Sequence, residues 1–316
     1  MGGLSVFSQQ DAPGRASLLW EVEIISDQEG TEKGLPEFVA TVLLWYIPLD
    51  MQSHTNRVGT SPRPSFAAHN ILLDDGTLTK PGSPTIESHN VFKAASRTIK
   101  LVFSDEKETL RLVDLGCLDG GYSVGFARMG FETTGIEVRP INYETCMFVK
   151  ENVNLPNLSF KLDNAWNAHK YGPFDVTFCS GLLYHLDKPK KFLDYISSFT
   201  SKLLLLHTHF APEELGANPY RLSDECENEG ARGRWFTEFL VAKKLLRPRA
   251  RHSSWDNRRS FWLRKEYLLD ILGKCGFDLV FEQYDSLGQE IARSMVATDG
   301  YYRRQSRCLF TAIRSG

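Results

Sequence analysis

Apolar and polar positions change period repeatedly along the second two-thirds of the chain. Short runs rich in apolar and β-branched residues predict strands, and runs with apolar residues three and four apart predict helices between them. The strands are predicted at residues 111–117, 132–138, 158–164, 174–181, 202–210, 278–284 and 307–315, and the helices at 91–103, 121–130, 140–154, 187–200 and 264–277.

Strands that alternate with helices predict a mostly parallel sheet. The fourth strand, FDVTFCSG, has no polar face, which is typical of a strand covered on both sides. The predicted fold class is therefore α/β, with a seven-stranded, mostly parallel, Rossmann-like sheet and helices on both faces.

Two regions do not follow this alternation. Residues 1–94 are predicted to form an N-terminal extension or small cap region, with strand-like runs at 18–25 and 38–47. Residues 95–316 form the predicted core. Inside it, residues 211–262 are an insertion after the fifth strand, and so long a connection in a compact domain is usually functional. We therefore expect the insertion to cap the site that binds the acceptor.

Composition places the chain among ordinary soluble proteins. Of its 316 residues, 42% are hydrophobic and 24% are charged, and the net charge of -2 gives no general attraction to nucleic acid or membranes. Neither a membrane-spanning run nor a signal peptide is recognisable, so a cytoplasmic location is expected. The six cysteines form no CxxC pair, and a structural zinc site is not expected.

The stretch LVDLGCLDGG, from residue 112, combines a strand, a glycine turn and the start of a helix. Backbone N–H groups at such a turn can receive the polar end of a ligand. A dinucleotide-binding turn has a second glycine where a pyrophosphate approaches, and here Leu118, followed by Asp119, occupies that place. The turn therefore disfavours NAD or FAD and favours an adenosine cofactor without phosphate.

Two further acids end predicted strands. Glu137 comes about 20 residues after the turn, where an acid can accept both ribose hydroxyls. Asp163 ends the third strand and is placed to accept from the exocyclic amine of adenine. Both acids lie at carboxyl ends of strands, where open α/β sheets bind ligands.

The segments VDLGCLDGG, GIEV, LDN and FDVTFCSGLLYHL together resemble the class I S-adenosylmethionine-dependent methyltransferases over residues 95–316. The resemblance implies S-adenosylmethionine as cofactor, with its methionine end at Asp114 and Gly116 and its sulfonium near Ser180 and Gly181. It also makes the last two strands the antiparallel pair that closes the sheet. The implied cofactor-binding residues are Asp114, Gly116, Cys117, Leu118, Gly120, Tyr122, Glu137, Asp163, Asn164, Ser180 and Gly181.

The segment GLLYHL places Tyr184 and His185 at the mouth of the crevice. His185 is a candidate general base, with a structural role in the following helix as the alternative. His207 and His209 share one face of the fifth strand. Tyr184 and His207 are further catalytic candidates, and no metal is predicted because no third ligand is evident.

The insertion interleaves aromatic residues with arginines, which can stack on a flat acceptor or pair with an anion. Its basic run at 243–251 is interpreted as a solvated face. The predicted acceptor-binding residues are His209, Arg234, Trp235, Trp255, Asn257 and Trp262.

Together with HNILLDDGTLTKPG, these features are distantly similar to tRNA wobble-uridine methyl- and carboxymethyltransferases. In that branch the tyrosine that matches Tyr184 helps to hold a carboxylated cofactor. The near-neutral charge favours a small-molecule acceptor, with O-methylation as the default. A tRNA-modifying enzyme and a non-catalytic cofactor-binding subunit are the alternatives, and the oligomeric state is left open.

Overall fold

The computed structural model describes residues 63–103, 109–216, 218–238 and 250–315, all within one compact unit that spans residues 60–316. The strand-like runs at 18–25 and 38–47 lie outside the described residues, as do residues 243–249 of the basic run. The boundary at residue 94 stays a prediction.

The described ranges contain ten strands and seven α-helices. The strands are β1 Arg111–Leu115, β2 Glu132–Glu137, β3 Leu158–Leu162, β4 Phe174–Ser180, β5 Thr200–His209, β6 Cys226–Asn228, β7 Ala231–Thr237, β8 Arg259–Leu263, β9 Leu279–Gln283 and β10 Arg307–Ile313. The helices are α1 Asn90–Val102, α2 Gly121–Arg128, α3 Pro140–Glu151, α4 Pro189–Phe199, α5 Lys265–Lys274, α6 Ile291–Val296 and α7 Tyr301–Gln305.

Seven strands form one sheet in the order β3-β2-β1-β4-β5-β10-β9. The first five run parallel, and β10 is antiparallel to both of its neighbours. The predicted fold class is confirmed. The carboxyl ends of β1, β2, β4 and β5 therefore share one edge with the start of β10, where Arg307 is paired with His209.

Hydrophobic cores cover both faces of this sheet. Consecutive residues of β1 alternate between them: Leu112 belongs to the core built with α1, α2 and α3, and Val113 to the core built with α4, α5 and β8. This two-sided burial explains why the strands read as continuous apolar runs.

The insertion contains a second, three-stranded antiparallel sheet of β6, β7 and β8, which was not predicted from the sequence. Phe261 and Leu263 of β8 belong to the core that α4 and α5 share, so the insertion is integral to the domain. Two short helices, α6 and α7, occupy the connection between β9 and β10. Among the helices of the described residues, none has the length and apolarity needed to cross a bilayer.

Candidate functional site

A cavity of about 570 Å³ opens at the carboxyl edge of the sheet, at the point between β1 and β4 where the order of the strands reverses. Open α/β sheets bind ligands at this point. The wall is formed by the β1–α2 turn, the ends of β2 and β4, the loop at 180–187, residues 251–257 and the start of β10. The volume is in the range of small-molecule and cofactor pockets.

The β1–α2 turn requires backbone conformations that favour glycine. Gly116 and Gly120 have φ values of +72° and +78°, and Leu118 between them has +55°. A Cβ on Gly120 would lie 2.6 Å from Cζ of Phe160, so the turn is closely packed there. Gly116 and Leu118 line the cavity, whereas Gly120 and Cys117 lie behind it.

Asp114 ends β1 with a buried carboxyl group that lines the cavity and accepts a hydrogen bond from Oγ of Ser123 at 2.7 Å. Burial raises the pKa of Asp114 to about 7, an effect that the Ser123 hydrogen bond partly opposes. A cationic ligand group would favour the ionised carboxylate.

Glu137 ends β2, and both of its oxygens accept backbone hydrogen bonds. Leu118 N–H donates to Oε2 at 3.0 Å and Arg139 N–H donates to Oε1 at 2.8 Å. Burial raises the pKa of this carboxyl group, and the Arg139 N–H and guanidinium oppose the rise. Each carboxylate oxygen has two lone pairs, so both can still accept a hydroxyl. The neighbouring backbone therefore fixes the acid in the cavity wall.

Asp163 and Asn164 also line the cavity. Oδ1 of Asp163 accepts from Asn164 N–H and from Nδ2 of Asn167, and Oδ2 accepts from the Tyr171 hydroxyl at 2.8 Å. Slight burial raises the pKa of Asp163, but the hydrogen bonds from Asn167 and Tyr171 outweigh it, and the net shift is downward. The carboxylate therefore also holds its own turn in place.

Asp119 does not charge the turn in the way that the sequence suggested. Its fully buried carboxylate points away, accepts backbone N–H groups of Ala68 and His69 at 2.7 and 3.1 Å, and pairs with Arg251 at 2.9 Å. Of the two residues thought to exclude a pyrophosphate, only Leu118 faces the cavity. Asp119 instead attaches two segments distant in sequence to the β1–α2 turn.

His69 contributes to the same attachment. The N–H of Gly121, at the start of α2, donates to Nδ1 of His69 at 3.0 Å. Burial lowers the pKa of His69 to about 4, so the ring is neutral and can accept this bond. Tyr122 follows on α2, lines the cavity, and has its ring centroid 5.1 Å from that of His69.

Ser180, Gly181 and His207 meet on the other side of the switch point. Oγ of Ser180 lies 3.2 Å from Nδ1 of His207, and Nη2 of Arg307 lies 3.3 Å from the same nitrogen. Burial, reinforced by the Arg307 charge, lowers the pKa of His207 well below its usual value. Because a guanidinium only donates, Nδ1 of His207 is an acceptor, and the ring is a weak base.

Tyr184 lines the cavity and rests on an aromatic cluster. Its ring centroid lies 4.5 Å from that of His209, whose ring stacks on Trp262 with centroids 4.6 Å apart. His209 donates through Nδ1 to the Gln305 carbonyl at 2.6 Å, and burial lowers its pKa to about 3. His209 is therefore a support for Tyr184 outside the cavity wall.

His185 is bound to a carboxylate that sequence reasoning missed. Its Nδ1 lies 2.7 Å from Oε1 of Glu238, in the loop after β7. Glu238 also accepts from Ser254 N–H at 3.1 Å and from Oγ of Ser260 at 2.9 Å. Burial raises the pKa of Glu238, but these hydrogen bonds and the contact with His185 lower it by more. The net shift of the pKa is downward, and the group stays ionised. A carboxylate only accepts, so Nδ1 carries the imidazole proton and Nε2 has the lone pair.

The residues predicted to bind the acceptor divide into two groups. Trp255 and Asn257 line the cavity, and Asn257 also donates to the His185 carbonyl at 2.9 Å. The others lie outside the cavity wall for distinct reasons. Arg234 donates to three backbone carbonyls, Trp235 packs on Phe261, and the fully buried Trp262 donates to the Tyr184 carbonyl.

The sequence contained a signal for one of the two missed residues. Arg307 is a charged residue that begins an otherwise apolar final strand, and an antiparallel closing strand begins at the cofactor edge. Glu238 lies among many charged residues of the insertion and had no distinguishing pattern. Within the described ranges, no three His, Cys, Asp or Glu side chains converge as metal ligands.

Comparison with known proteins shows the family to which the chain belongs. The sequence profile of a family described as a methyltransferase domain matches residues 88–280. The N-terminal domain of EvdMO1, crystallised in the presence of S-adenosylhomocysteine (SAH) and D-fucose, has a TM-score of 0.55 at 19% identity, over 80% of this chain and 91% of that one. Magnesium protoporphyrin IX methyltransferase from Synechocystis PCC 6803, with bound SAH, has a TM-score of 0.45 at 19% identity, over 75% and 90% of the two chains. No curated protein matches the chain.

Proposed function

Because the chain belongs to the methyltransferase domain family, we propose that it transfers a methyl group to a hydroxyl of a small-molecule acceptor bound beside Tyr184 and His185. The enzyme is a methyltransferase that depends on S-adenosylmethionine. The observation that carries the acceptor proposal is the continuity of one cavity from Glu137 and Asp114 to His185 and Arg307. The N-terminal domain of EvdMO1, a fold neighbour crystallised in the presence of SAH and D-fucose, is consistent with a small-molecule acceptor.

The residues of the cavity fit the cofactor. Glu137 retains lone pairs for two ribose hydroxyls, and Leu118 lines the cavity at the position where a dinucleotide-binding turn has its second glycine, which disfavours a pyrophosphate. Asp114 offers a buried carboxyl group for a cationic group, and Asp163 and Asn164, which also line the cavity, are the residues that we assign to the adenine. When bound, the cofactor supplies an electrophilic methyl group.

His185 is the base that we assign to the acceptor hydroxyl. The proton passes from the hydroxyl to Nε2 of His185, and the imidazolium is stabilised by the Glu238 carboxylate at Nδ1. His207 is the less suitable candidate, because its Nδ1 accepts from Arg307 and its pKa is far below neutral. Alignment of the acceptor against Tyr184 supplies the rest of the rate.

A non-catalytic subunit would be expected to have a blocked acceptor side next to an intact Glu137 site. The cavity instead extends past Gly181 to His185 and Arg307. An RNA acceptor would need a basic surface leading to Tyr184, and the net charge of -2 does not favour one.

The test is isotope labelling of two acceptor pools. The full chain is incubated with S-adenosylmethionine that carries a trideuterated methyl group, together with either a small-molecule extract or total tRNA. We expect the label in a small molecule, and less of it with His185→Ala at equal protein concentration. Label in tRNA alone would refute the acceptor class. Absence of label in both pools, with SAH binding intact by calorimetry, would refute catalysis.

A further inference from the structure

Arg307 is a positively charged residue that lines the cavity. It begins β10 and, because that strand is antiparallel to β5, lies at the edge where the parallel strands end. A Cβ on Gly181 would be 3.6 Å from Nη2 of Arg307. The guanidinium is therefore adjacent to the segment assigned to the reactive end of the cofactor.

The groups around this guanidinium are neutral. Its Nη2 contacts Nδ1 of His207 at 3.3 Å, and its central carbon lies 5.2 Å from the ring centroid of Tyr184. Tyr122, Tyr220, Tyr301 and His209 also lie near it. Buried Nε has no hydrogen-bond partner among the described residues, and no Asp or Glu of those residues forms an ion pair with Arg307.

Two other partly buried arginines of the domain are used differently. Arg314 donates to the carbonyls of Ser197 and Cys275, and Arg251 pairs with Asp119. These two arginines stabilise the fold through hydrogen bonds to chain segments that they connect. Arg307 contacts the side chain of His207 and pairs with no carboxylate of the described residues, and burying a charge without a counter-ion is costly. An anionic ligand beside the guanidinium would offset this cost.

We propose that Arg307 binds a carboxylate of the acceptor, so that the methylated small molecule is an organic acid. This inference rests on the methyltransferase function proposed above. One guanidinium beside a neutral His207 matches a singly charged, planar carboxylate better than a doubly charged phosphate, and arginine is the residue that binds carboxylates through paired N–H groups. Tyr122 and Tyr184, which line the cavity, offer aromatic surface for the body of such an acid.

The cofactor also has a carboxylate, at its amino-acid end, so the first measurement separates the two sources. SAH and 5′-methylthioadenosine, which lacks the amino-acid end, are titrated by calorimetry into wild-type protein and Arg307→Met. We expect both ligands to bind the variant nearly as well as the wild type. A loss of about 10- to 100-fold for SAH alone would assign Arg307 to the cofactor and overturn the proposal. A wild-type protein that does not bind SAH would instead refute the proposed function.

The second measurement probes the acceptor side with benzoate and its neutral counterpart, benzamide. In saturating SAH, benzoate should raise the melting temperature of the wild type by about 2 °C or more, and benzamide should not. Arg307→Met should lose the response, and Arg307→Lys should keep part of it. A wild type that does not respond to benzoate, or an Arg307→Met protein that responds equally, would overturn the proposal.

The third measurement excludes a structural role. Without added ligand, Arg307→Met should melt at or above the wild-type temperature, because it removes an uncompensated charge. The matched control Arg314→Met should melt lower, since it loses hydrogen bonds to three backbone carbonyls. If both variants are destabilised alike, Arg307 is part of the fold and the carboxylate site is refuted.

Discussion

Nδ1 of His185 lies 2.7 Å from Oε1 of Glu238, so a residue of the cavity wall is oriented by a carboxylate that the insertion supplies. Glu238 is itself held by Ser254 and Ser260. A base that is oriented in this way keeps one tautomer, with Nε2 as proton acceptor. The pair is the basis of the first two predictions.

Replacing His185 should slow turnover without preventing cofactor binding. We expect His185→Ala to lose about 10²- to 10⁴-fold in kcat, and His185→Asn to be nearly as slow, because neither retains a basic nitrogen. Steady-state kinetics with the acceptor found by labelling provides the measurement. His169→Ala is the matched control, since His169 is exposed and contacts Tyr195. Near-normal kcat in both His185 variants would make His185 structural.

Glu238→Gln should act through His185. The amide keeps the shape of the side chain but cannot stabilise an imidazolium, so kcat should fall by about 10-fold and the acid limb of the kcat profile should move to lower pH. KM should change little. Glu290→Gln, at an exposed acid, is the control. A lowered melting temperature with an unmoved pH profile would show that Glu238 only stabilises the loop.

Glu137→Gln should weaken SAH binding by about 10- to 100-fold, because one acceptor oxygen becomes an amide donor and a charge-assisted bond is lost. Calorimetry measures the affinity, and a melting curve checks the fold. Glu132→Gln, at the exposed start of the same strand, should bind normally. Equal affinity in the two variants would place the ribose elsewhere.

SAH affinity should rise with pH through the titration of Asp114. Burial raises the pKa of Asp114 to about 7, so the group is mostly neutral below that pH and ionised above it. The ammonium of SAH favours the ionised form, and affinity should increase about 10-fold from about pH 6 to about pH 8. Asp114→Asn should bind more weakly and lose this dependence. A pH-independent wild type would show that Asp114 does not face the ammonium.

Gly120→Ala should destabilise the domain more than Gly76→Ala. Both positions have positive φ, +78° and +83°, but an added Cβ at Gly76 meets nothing within 4 Å, whereas at Gly120 it would be 2.6 Å from Phe160. We expect about 1 kcal/mol for Gly76→Ala and about 2–4 kcal/mol for Gly120→Ala, by urea unfolding. Adding Phe160→Leu should recover part of the larger loss. Equal losses at the two glycines would contradict the close packing.

The alternation of short apolar runs and amphipathic segments was sufficient to predict the seven-stranded sheet, because both periods are local properties of the chain. The sequence also predicted that Asp114, Glu137 and Ser180 lie at one edge of the sheet. Each lies at the end of a predicted strand, and the carboxyl ends of parallel strands lie together. The insertion was the exception. β6 has only three residues, and β7 and β8 carry arginines, so none of them forms a plain apolar run. Phe261 lies in the core, so replacing residues 211–262 with a linker would expose the domain interior.

Only the tertiary structure decided which side chains meet in the cavity. Glu238 reaches His185 from 53 residues away, and Arg307 reaches His207 from 100 residues away. The tertiary structure also pairs Asp119 with Arg251, so that its carboxylate does not line the cavity. The sequence determined where the strands of the seven-stranded sheet end to within two residues, because that depends on neighbours along the chain. The direction and partner of a polar side chain depend on burial and charge contributed by distant segments, and no local pattern encodes these.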